Sequence, residues 1–360
     1  MSEGFRFEED LARAGTLPSS WYVEPAALER ERERVFARTW QLAGLAEELE
    51  KAGDFLAAEV AGEPVVVARG DDGALRAFSN VCRHRAGPVA SGTGNRPSLR
   101  CGYHGWTYGL DGRLLAAPEF EGVVGFDRAA VRLPELRAER YGPFVFVSLD
   151  PGTAALDRVL GEMAAETAGL GLERLRFYRR RDYEVACNWK VYVDNYLEGY
   201  HIPIVHPGLF REIDYAAYRV DTRAHHSRHH APVRSRSPES LYRRHLDDGR
   251  APEALYYWLF PNLMLNVYPD NVQVNVVVPL GPERTLVRFE WLVPDPRRPD
   301  LAGEAERSFA FSDEVQREDA AICEAVQRGL RSRFYDRGRL SVRREGGVHH
   351  FHGLLAAALL

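Results

Sequence analysis

The segment VCRHRAGPVASGTGNRPSLRCGYHGW, Val81 to Trp106, places two short ligand pairs in one loop-rich stretch. These are Cys82-x-His84 and Cys101-x-x-His104, with sixteen residues between His84 and Cys101. Each pair lies between strand-like segments. PVVVAR and ALRAF precede the first, WTYGL and RLLAA follow the second, and Asp71-Asp72-Gly73 and Asp111-Gly112 read as hairpin turns. The pairs therefore fall at two loop tips, where thiolates and imidazoles can jointly hold a metal centre. A Cys2His2 zinc site is one reading, although its histidines normally form a pair of their own after a cysteine pair. Two mixed pairs suit a two-iron cluster with cysteines on one iron and histidines on the other.

A second segment, NWKVYVDNYLEGYHIPIVHP from Asn188 to Pro207, carries His201 and His206. Helical spacing puts Asp194, Glu198 and His201 on one face. His206 would stand about 140° away on the same helix, and Pro203 removes an amide between the two histidines. The spacing therefore predicts a helix ending near His201 and a bend that returns His206 towards it. Two imidazoles converging in this way commonly hold a metal. The H-E-x-x-H pattern of zinc proteases is absent from the chain.

A carboxylate to complete such a site is sought in FSDEVQREDAAICEAVQRGL, Phe311 to Leu330. Ser312 is placed to cap a helix there, and Val315, Ile322, Val326 and Leu330 recur at helical spacing. Asp319 falls on that stripe, where a carboxylate needs a cation or a partner. Glu318, about 100° away, reads as solvated. Periodicity alone leaves open whether Asp319 meets a metal or one of the arginines.

The remaining composition bounds the answer. The 360 residues, 45% hydrophobic with a mean hydropathy of −0.35, suit a globular chain long enough for two cores. No run approaches a membrane span, and the acidic start MSEGFRFEEDLARAG lacks the apolar core of a signal peptide, so a cytoplasmic location is expected. A net charge of −5 gives no reason to expect nucleic acid. Four cysteines do not make a disulfide framework in a chain of this size.

Together the Cys-x-His, Cys-x-x-His and two-histidine motifs resemble those of the catalytic alpha subunits of Rieske non-haem iron oxygenases, the aromatic ring-hydroxylating family, from about Trp40 to the C-terminus. That resemblance implies a [2Fe-2S] cluster on Cys82, His84, Cys101 and His104. It also implies a mononuclear Fe(II) on His201, His206 and Asp319, the last matching the family's Q-x-E-D type segment. Two histidines and one carboxylate that leave open positions are independently what an oxygen-activating iron uses. Glu198 would then be a bridging acid, accepting from His201 and meeting His104 of a neighbouring copy in a head-to-tail homotrimer. Most members carry aspartate there, and the glutamate variant is associated with quaternary ammonium substrates. The implied fold is α+β: a small antiparallel cluster domain over residues 40–150, and a catalytic domain over 151–360 with a curved antiparallel sheet covered by helices, of the helix-grip type. Residues 1–39 are expected to pack on the latter. The expected function is that of a terminal oxygenase that uses O2 to hydroxylate or oxidatively demethylate a small organic substrate, with a quaternary ammonium compound first and an aromatic acid or arene second. No dinucleotide fingerprint and no cysteines for a second cluster are present, so NAD(P)H electrons must arrive through a separate reductase, with or without a ferredoxin. A Rieske electron carrier without oxygenase chemistry is the alternative of another class, and it would have no need of His201, His206 and Asp319.

Other signals take plainer readings. HHSRHH, His225 to His230, reads as a solvated loop, and His349, His350 and His352 as packing or subunit contacts. Cys187 and Cys323 read as buried free thiols. The run YYWLFPN, Tyr256 to Asn262, suits either ordinary core or an aromatic substrate pocket.

Overall fold

The computed structural model describes residues 5–234, 253–268, 271–299 and 301–360. The chain divides into two compact units, one of residues 32–158 and one of residues 1–31 with 159–360. In chain order the first elements are α1 (Ser20–Val23), α2 (Pro25–Arg34), β1 (Gln41–Leu45), β2 (Asp54–Val60), β3 (Glu63–Arg69), β4 (Leu75–Ser79), β5 (Thr93–Asn95), β6 (Leu99–Arg100), β7 (Thr107–Tyr108), β8 (Leu114–Ala116), β9 (Glu135–Tyr141) and β10 (Phe144–Ser148).

The smaller unit is built on an antiparallel sheet of order β1-β10-β9-β4-β3-β2-β5, beside a ribbon of order β6-β7-β8. The run PVVVAR has no polar alternation because β3 is covered on both faces. Val65 and Val67 join a core with Leu56, Ala77 and Val145. Val66 and Ala68 face the opposite way, into a core with Phe55, Phe78, Cys82 and Cys101. Both expected hairpins are present, with Gly73 at φ 76° and Gly112 at φ 82°, backbone that a side chain disfavours. At Gly112 a Cβ would also stand 2.6 Å from the Phe78 ring.

The chain continues with α3 (Leu156–Leu160), which crosses from the smaller unit into the larger, and then α4 (Glu162–Thr167), β11 (Arg176–Val185), α5 (Trp189–Tyr196), α6 (Ile202–Val205), α7 (Pro207–Glu212), β12 (Arg219–Thr222), β13 (His226–Pro232), β14 (Glu253–Leu259), β15 (Leu263–Val267), β16 (Val272–Gly281), β17 (Arg284–Val293), α8 (Leu301–Leu330) and α9 (Gly346–Leu359) of the larger unit. Its seven strands form one curled antiparallel sheet of order β11-β17-β16-β15-β14-β13-β12. Helix α8 lies against it through Phe309 on Trp291, Asp313 on Tyr183 at 2.9 Å and Ser312 on Gln273 at 3.0 Å. The α+β class and the helix-covered antiparallel sheet thus stand as expected. Among the described residues no helix is long and apolar enough to cross a membrane.

Three local expectations are corrected. HHSRHH is no solvated loop: His226, Ser227, His229 and His230 are buried in β13, an interior strand paired on both sides. Ser312 caps nothing, because α8 begins at Leu301 and Ser312 lies within it. The most deeply buried face of α8 mixes polar side chains with Phe309, Cys323 and Leu330. Asp313, Gln316 and Gln327 are buried while Val326 is 45% exposed, because the partners of this face are side chains and backbone amides of α5 and β11.

The N-terminal segment is fastened to α5 by a fully buried ion pair. Lys190 Nζ donates to Glu31 Oε1 at 2.6 Å, and Trp189 Nε1 donates to Glu31 Oε2 at 2.6 Å. Burial pushes the Lys190 amine below its ordinary pKa, against the pull of Glu31. Glu31→Ala leaves a buried ammonium with no counter-charge and is expected to cost roughly 3–5 kcal/mol, read as a lowered urea midpoint. Glu31→Leu combined with Lys190→Met should recover most of that loss. A double variant as unstable as Glu31→Ala would show that packing, not charge, fastens the segment.

Candidate metal centres

The two ligand loops of the smaller unit share one backbone design. Cys82 N donates to Gly87 O and Ala86 N returns to Cys82 O, at 2.8 and 3.0 Å. Cys101 N donates to Trp106 O and Gly105 N returns to Cys101 O, at 2.9 and 3.1 Å. The fifth residue of each loop takes positive φ, 56° at Ala86 and 72° at Gly105. The loops meet tightly, since a Cβ on Gly87 would stand 3.0 Å from Cys101 Sγ. Both cysteines are buried, and the His84 and His104 rings lie 4.7 Å apart. Trp106 stacks on His84 at 5.0 Å, and Tyr108 Oη, which accepts from Arg83 N, shares a hydrogen bond with Cys82 Sγ at 3.3 Å. The Nδ1 atom of His84 is buried with no hydrogen-bond partner. Two inward thiols, two adjacent imidazoles and an orphaned ring nitrogen fit a two-iron cluster with mixed ligands.

In the larger unit α5 ends at Tyr196, sooner than the sequence spacing predicts, and a turn carries Glu198 to His201. Glu198 organises that turn. One carboxylate oxygen accepts from the Tyr200 and His201 amides, and the other accepts from His201 Nδ1 at 2.6 Å. Pro203 falls in the first turn of α6, where its missing amide has no helical partner to lose. His206 follows α6, and its ring centroid returns to 5.0 Å from that of His201. Asp194 borders a cavity with Glu198 and His201. It accepts from Tyr22 Oη at 2.7 Å and meets His352 Nε2 at 2.9 Å.

Helix α8 supplies the rest. Asp319 Oδ1 lies 3.0 Å from His206 Nε2 and 3.7 Å from His201 Nε2, and accepts from Asn195 Nδ2 at 2.6 Å. One ligand atom from each of His201, His206 and Asp319 falls within 4.8 Å of the others. Ligands about 2 Å from a first-row metal and at right angles stand roughly 3 Å apart, so the set fits a facial two-histidine, one-carboxylate iron site. Glu318 is the correction. Far from solvated, it accepts from His206 Nδ1 at 2.6 Å. Burial lowers the His206 pKa, but Asp319 and Glu318 outweigh it and the net shift is upward. A carboxylate on each Nδ1 leaves the Nε2 lone pairs free to face the metal. Asn195 and Glu318 were the functional candidates missed; Glu318 had adjacency to Asp319 as its signal, with hydrophobic periodicity against it, and Asn195 had none.

Beside this triad opens a cavity of about 110 Å³ with Tyr192, Tyr196, Tyr218, Tyr256 and Phe289 among its walls. Of the YYWLFPN run, Tyr256 and not Tyr257 or Trp258 lines it, because alternation along β14 sends Tyr257 to the other face and Trp258 packs on Phe351. Burial pushes His229 down to about 3, so its imidazole, hydrogen-bonded to Tyr218 Oη at 2.7 Å, is neutral. Among the described lining residues there is no arginine or lysine. Glu198 and His201 also border a second cavity, with Ile322, Cys323 and Val326, on the side where Asp194 lies.

Both units match known proteins. Residues 39–127 match the model of the Rieske [2Fe-2S] domain, and residues 172–360 match that of the ring hydroxylating alpha subunit catalytic domain. The chain is 37% identical to choline monooxygenase of Arabidopsis thaliana over 96% of its own length and 83% of the relative's. It is 33% identical to the carnitine monooxygenase oxygenase subunit of Escherichia coli K12, over 95% and 93% of the two chains. A crystal structure of the quaternary ammonium Rieske monooxygenase CntA with L-carnitine superposes with a TM-score of 0.86 at 29% identity, covering 98% of this chain and 97% of that one. With both of its metal-bearing domains matched, and relatives aligned along nearly its whole length, the chain belongs to the Rieske non-haem iron oxygenases.

Proposed function

We propose that the chain is the terminal oxygenase of a quaternary ammonium monooxygenase system. In this reading Cys82, His84, Cys101 and His104 hold the cluster within residues 40–150. His201, His206 and Asp319 hold the iron within residues 151–360, on which residues 1–39 pack. One atom of O2 enters a C–H bond of the substrate, and the other leaves as water with two electrons from a separate NAD(P)H-dependent reductase and two protons. The cluster held by Cys82, His84, Cys101 and His104 would supply electrons one at a time, and the iron held by His201, His206 and Asp319 would supply the site for O2 reduction. A cytoplasmic homotrimer is the assembly we assign, although the plant relatives are chloroplastic.

The observation that carries the substrate class is the cavity. Aromatic faces attract a quaternary ammonium, which has no hydrogen to donate and is held by ring quadrupoles. No basic side chain stands among the described walls to meet a carboxylate, which disfavours an aromatic acid and, among quaternary ammonium compounds, favours one without a carboxylate. Gln316 Nε2 and Asn275 Oδ1 line the cavity, buried and without partners. They leave one donor and one acceptor for a polar group of the substrate. Oxygen uptake coupled to product across choline, betaines, benzoate and naphthalene tests this reading; uptake with the last two alone would overturn it.

Glu198 is the positioning acid of the reading. It holds the Nδ1–H of His201, and it borders the second cavity, from which His104 of a neighbouring copy would reach it. Glu198→Gln keeps the side-chain volume and removes the charge. Both iron centres should fill and the cluster should reduce normally, while single-turnover product should fall by at least about a hundredfold. Wild-type product would remove Glu198 from the electron path, and loss of mononuclear iron would make it a ligand.

The carboxylates of α8 separate by role. Asp319→Ala should lose mononuclear iron and keep the cluster. Glu318→Ala removes the acceptor at His206 Nδ1 and should weaken iron retention about 10–100-fold, with Glu318→Gln, which still accepts, closer to wild type. Iron analysis after dialysis against a chelator reads all three, and an unaltered Glu318→Ala protein would return Glu318 to the solvated surface.

A further inference from the structure

A site that reduces O2 must also dispose of oxidising equivalents that meet no substrate. Phenols are the side chains such equivalents reach most easily, because tyrosine loses an electron readily when its proton leaves at the same time. What each nearby hydroxyl donates to is therefore decisive. Tyr192 donates to the Gln316 amide oxygen at 2.5 Å and Tyr196 to that of Asn266 at 2.8 Å, and an amide does not take up a proton. Tyr218 meets His229 Nδ1 at 2.7 Å, but burial pushes that imidazole down to about 3. Tyr183 donates to Asp313, a carboxylate already engaged by Arg181 and Arg317.

Tyr22 has a better acceptor. From α1 its Oη donates to Asp194 Oδ2 at 2.7 Å, and Asp194 Oδ1 meets His352 Nε2 at 2.9 Å, which holds the carboxylate in place. Tyr22 and His352 are both buried. Burial and the Asp194 carboxylate push the phenol well above its ordinary pKa, so it rests as the neutral, reducing form. The Lys190 ammonium stands 5.3 Å from the Tyr22 ring, and Glu31 at 2.6 Å balances its charge.

A bonded path joins this pair to the candidate iron ligands. Asp194 is followed in α5 by Asn195, whose Nδ2 donates to Asp319 Oδ1 at 2.6 Å. Tyr22, Asp194, Asn195 and His201 also border one cavity. None of Tyr22, Asp194 and His352 is itself a candidate ligand.

We propose that Tyr22 is a redox-active tyrosine that quenches oxidising equivalents left at the iron when no substrate is bound, giving one electron to the iron centre and its phenolic proton to Asp194. The inference rests on the reading of His201, His206 and Asp319 as iron ligands. The phenolic O–H bond breaks, an O–H bond forms on Asp194 and a neutral tyrosyl radical remains. One electron from the cluster and the proton returned by Asp194 restore the phenol.

The test uses the iron-loaded full chain with ferrous iron and an oxidised cluster, a state without a signal in the organic-radical region, and hydrogen peroxide with no substrate. Peroxide takes two electrons, one from the iron and one from Tyr22. Freeze-quenched wild type should show an organic radical by electron paramagnetic resonance, narrowed when the protein carries ring-deuterated tyrosine. Tyr22→Phe should lose that signal and be inactivated by peroxide faster, with unchanged iron content, while Tyr192→Phe should keep it. Asp194→Asn still accepts a hydrogen bond but not a proton, and should lower the radical yield at least about a hundredfold. An iron-loaded wild type that gives no radical, or a Tyr22→Phe protein whose radical is undiminished, overturns the proposal. An undiminished signal in Asp194→Asn overturns the proton transfer on which the choice of Tyr22 depends. A chain that takes up no mononuclear iron would overturn the ligand reading beneath it; metal analysis before peroxide is added keeps that outcome distinct from any change in the radical.

Discussion

An imidazole has two nitrogens, and only the one facing inward can serve a metal. At His201 and His206 that choice is made by a carboxylate on Nδ1, Glu198 in one case and Glu318 in the other, each at 2.6 Å. Glu198 comes from the same turn as its histidine, so the first candidate ligand is oriented locally. Glu318 comes from α8, next to Asp319, so the second and third candidate ligands depend on the register of one long helix against the segment 188–206. A slip of one residue along α8 would bring Arg317 to the place of Glu318 and Glu318 to that of Asp319, or Asp319 to the place of Glu318 and Ala320 to that of Asp319.

The packing of the larger unit holds that register with polar contacts spread along α8. Tyr192 donates to Gln316, Asn195 to Asp319 and the Asn188 amide to Gln327, at 2.5, 2.6 and 2.8 Å. Hydrogen bonds specify a register more sharply than apolar contact does, because a shifted helix would leave each of these buried groups without a partner. The Lys190 and Glu31 pair extends the same logic behind α5, where the N-terminal segment closes over a helix whose other side presents Tyr192 and Asn195 to the site. A site whose geometry must hold to a fraction of an ångström sits on a scaffold that is costly to misalign.

Much of this was legible in the chain itself. The ligand loops, their flanking strands and both hairpins followed from residue types and turn chemistry, which act over a few positions. His201 and His206 followed from spacing and Pro203, even though α5 stops before Glu198. Asp319 shared a stripe with Val315, which lines the cavity, but only the family resemblance made it a candidate ligand. What misled was hydrophobic periodicity where the buried partners are polar. It rotated the apparent inner face of α8 away from Asp313, Gln316 and Gln327, and it sent Glu318 to solvent. It also left HHSRHH outside the sheet, because no local signal announces that neighbouring strands will cover histidines.

The sequence by itself determined the four candidate cluster ligands, the convergence of His201 and His206 and the hairpins of the smaller unit, since each depends on residues near one another in the chain; Asp319, 113 residues from His206, needed the family resemblance. Tertiary structure alone decided which carboxylate orients which histidine, that Asn195 reaches Asp319, and that Tyr192, Tyr196, Tyr218, Tyr256 and Phe289 gather around one cavity. Those aromatics come from α5, a loop and two strands far apart in sequence. Only the pleat of the curled sheet and the register of α8 decide which of them face inward, and neither is encoded within the reach of any single segment.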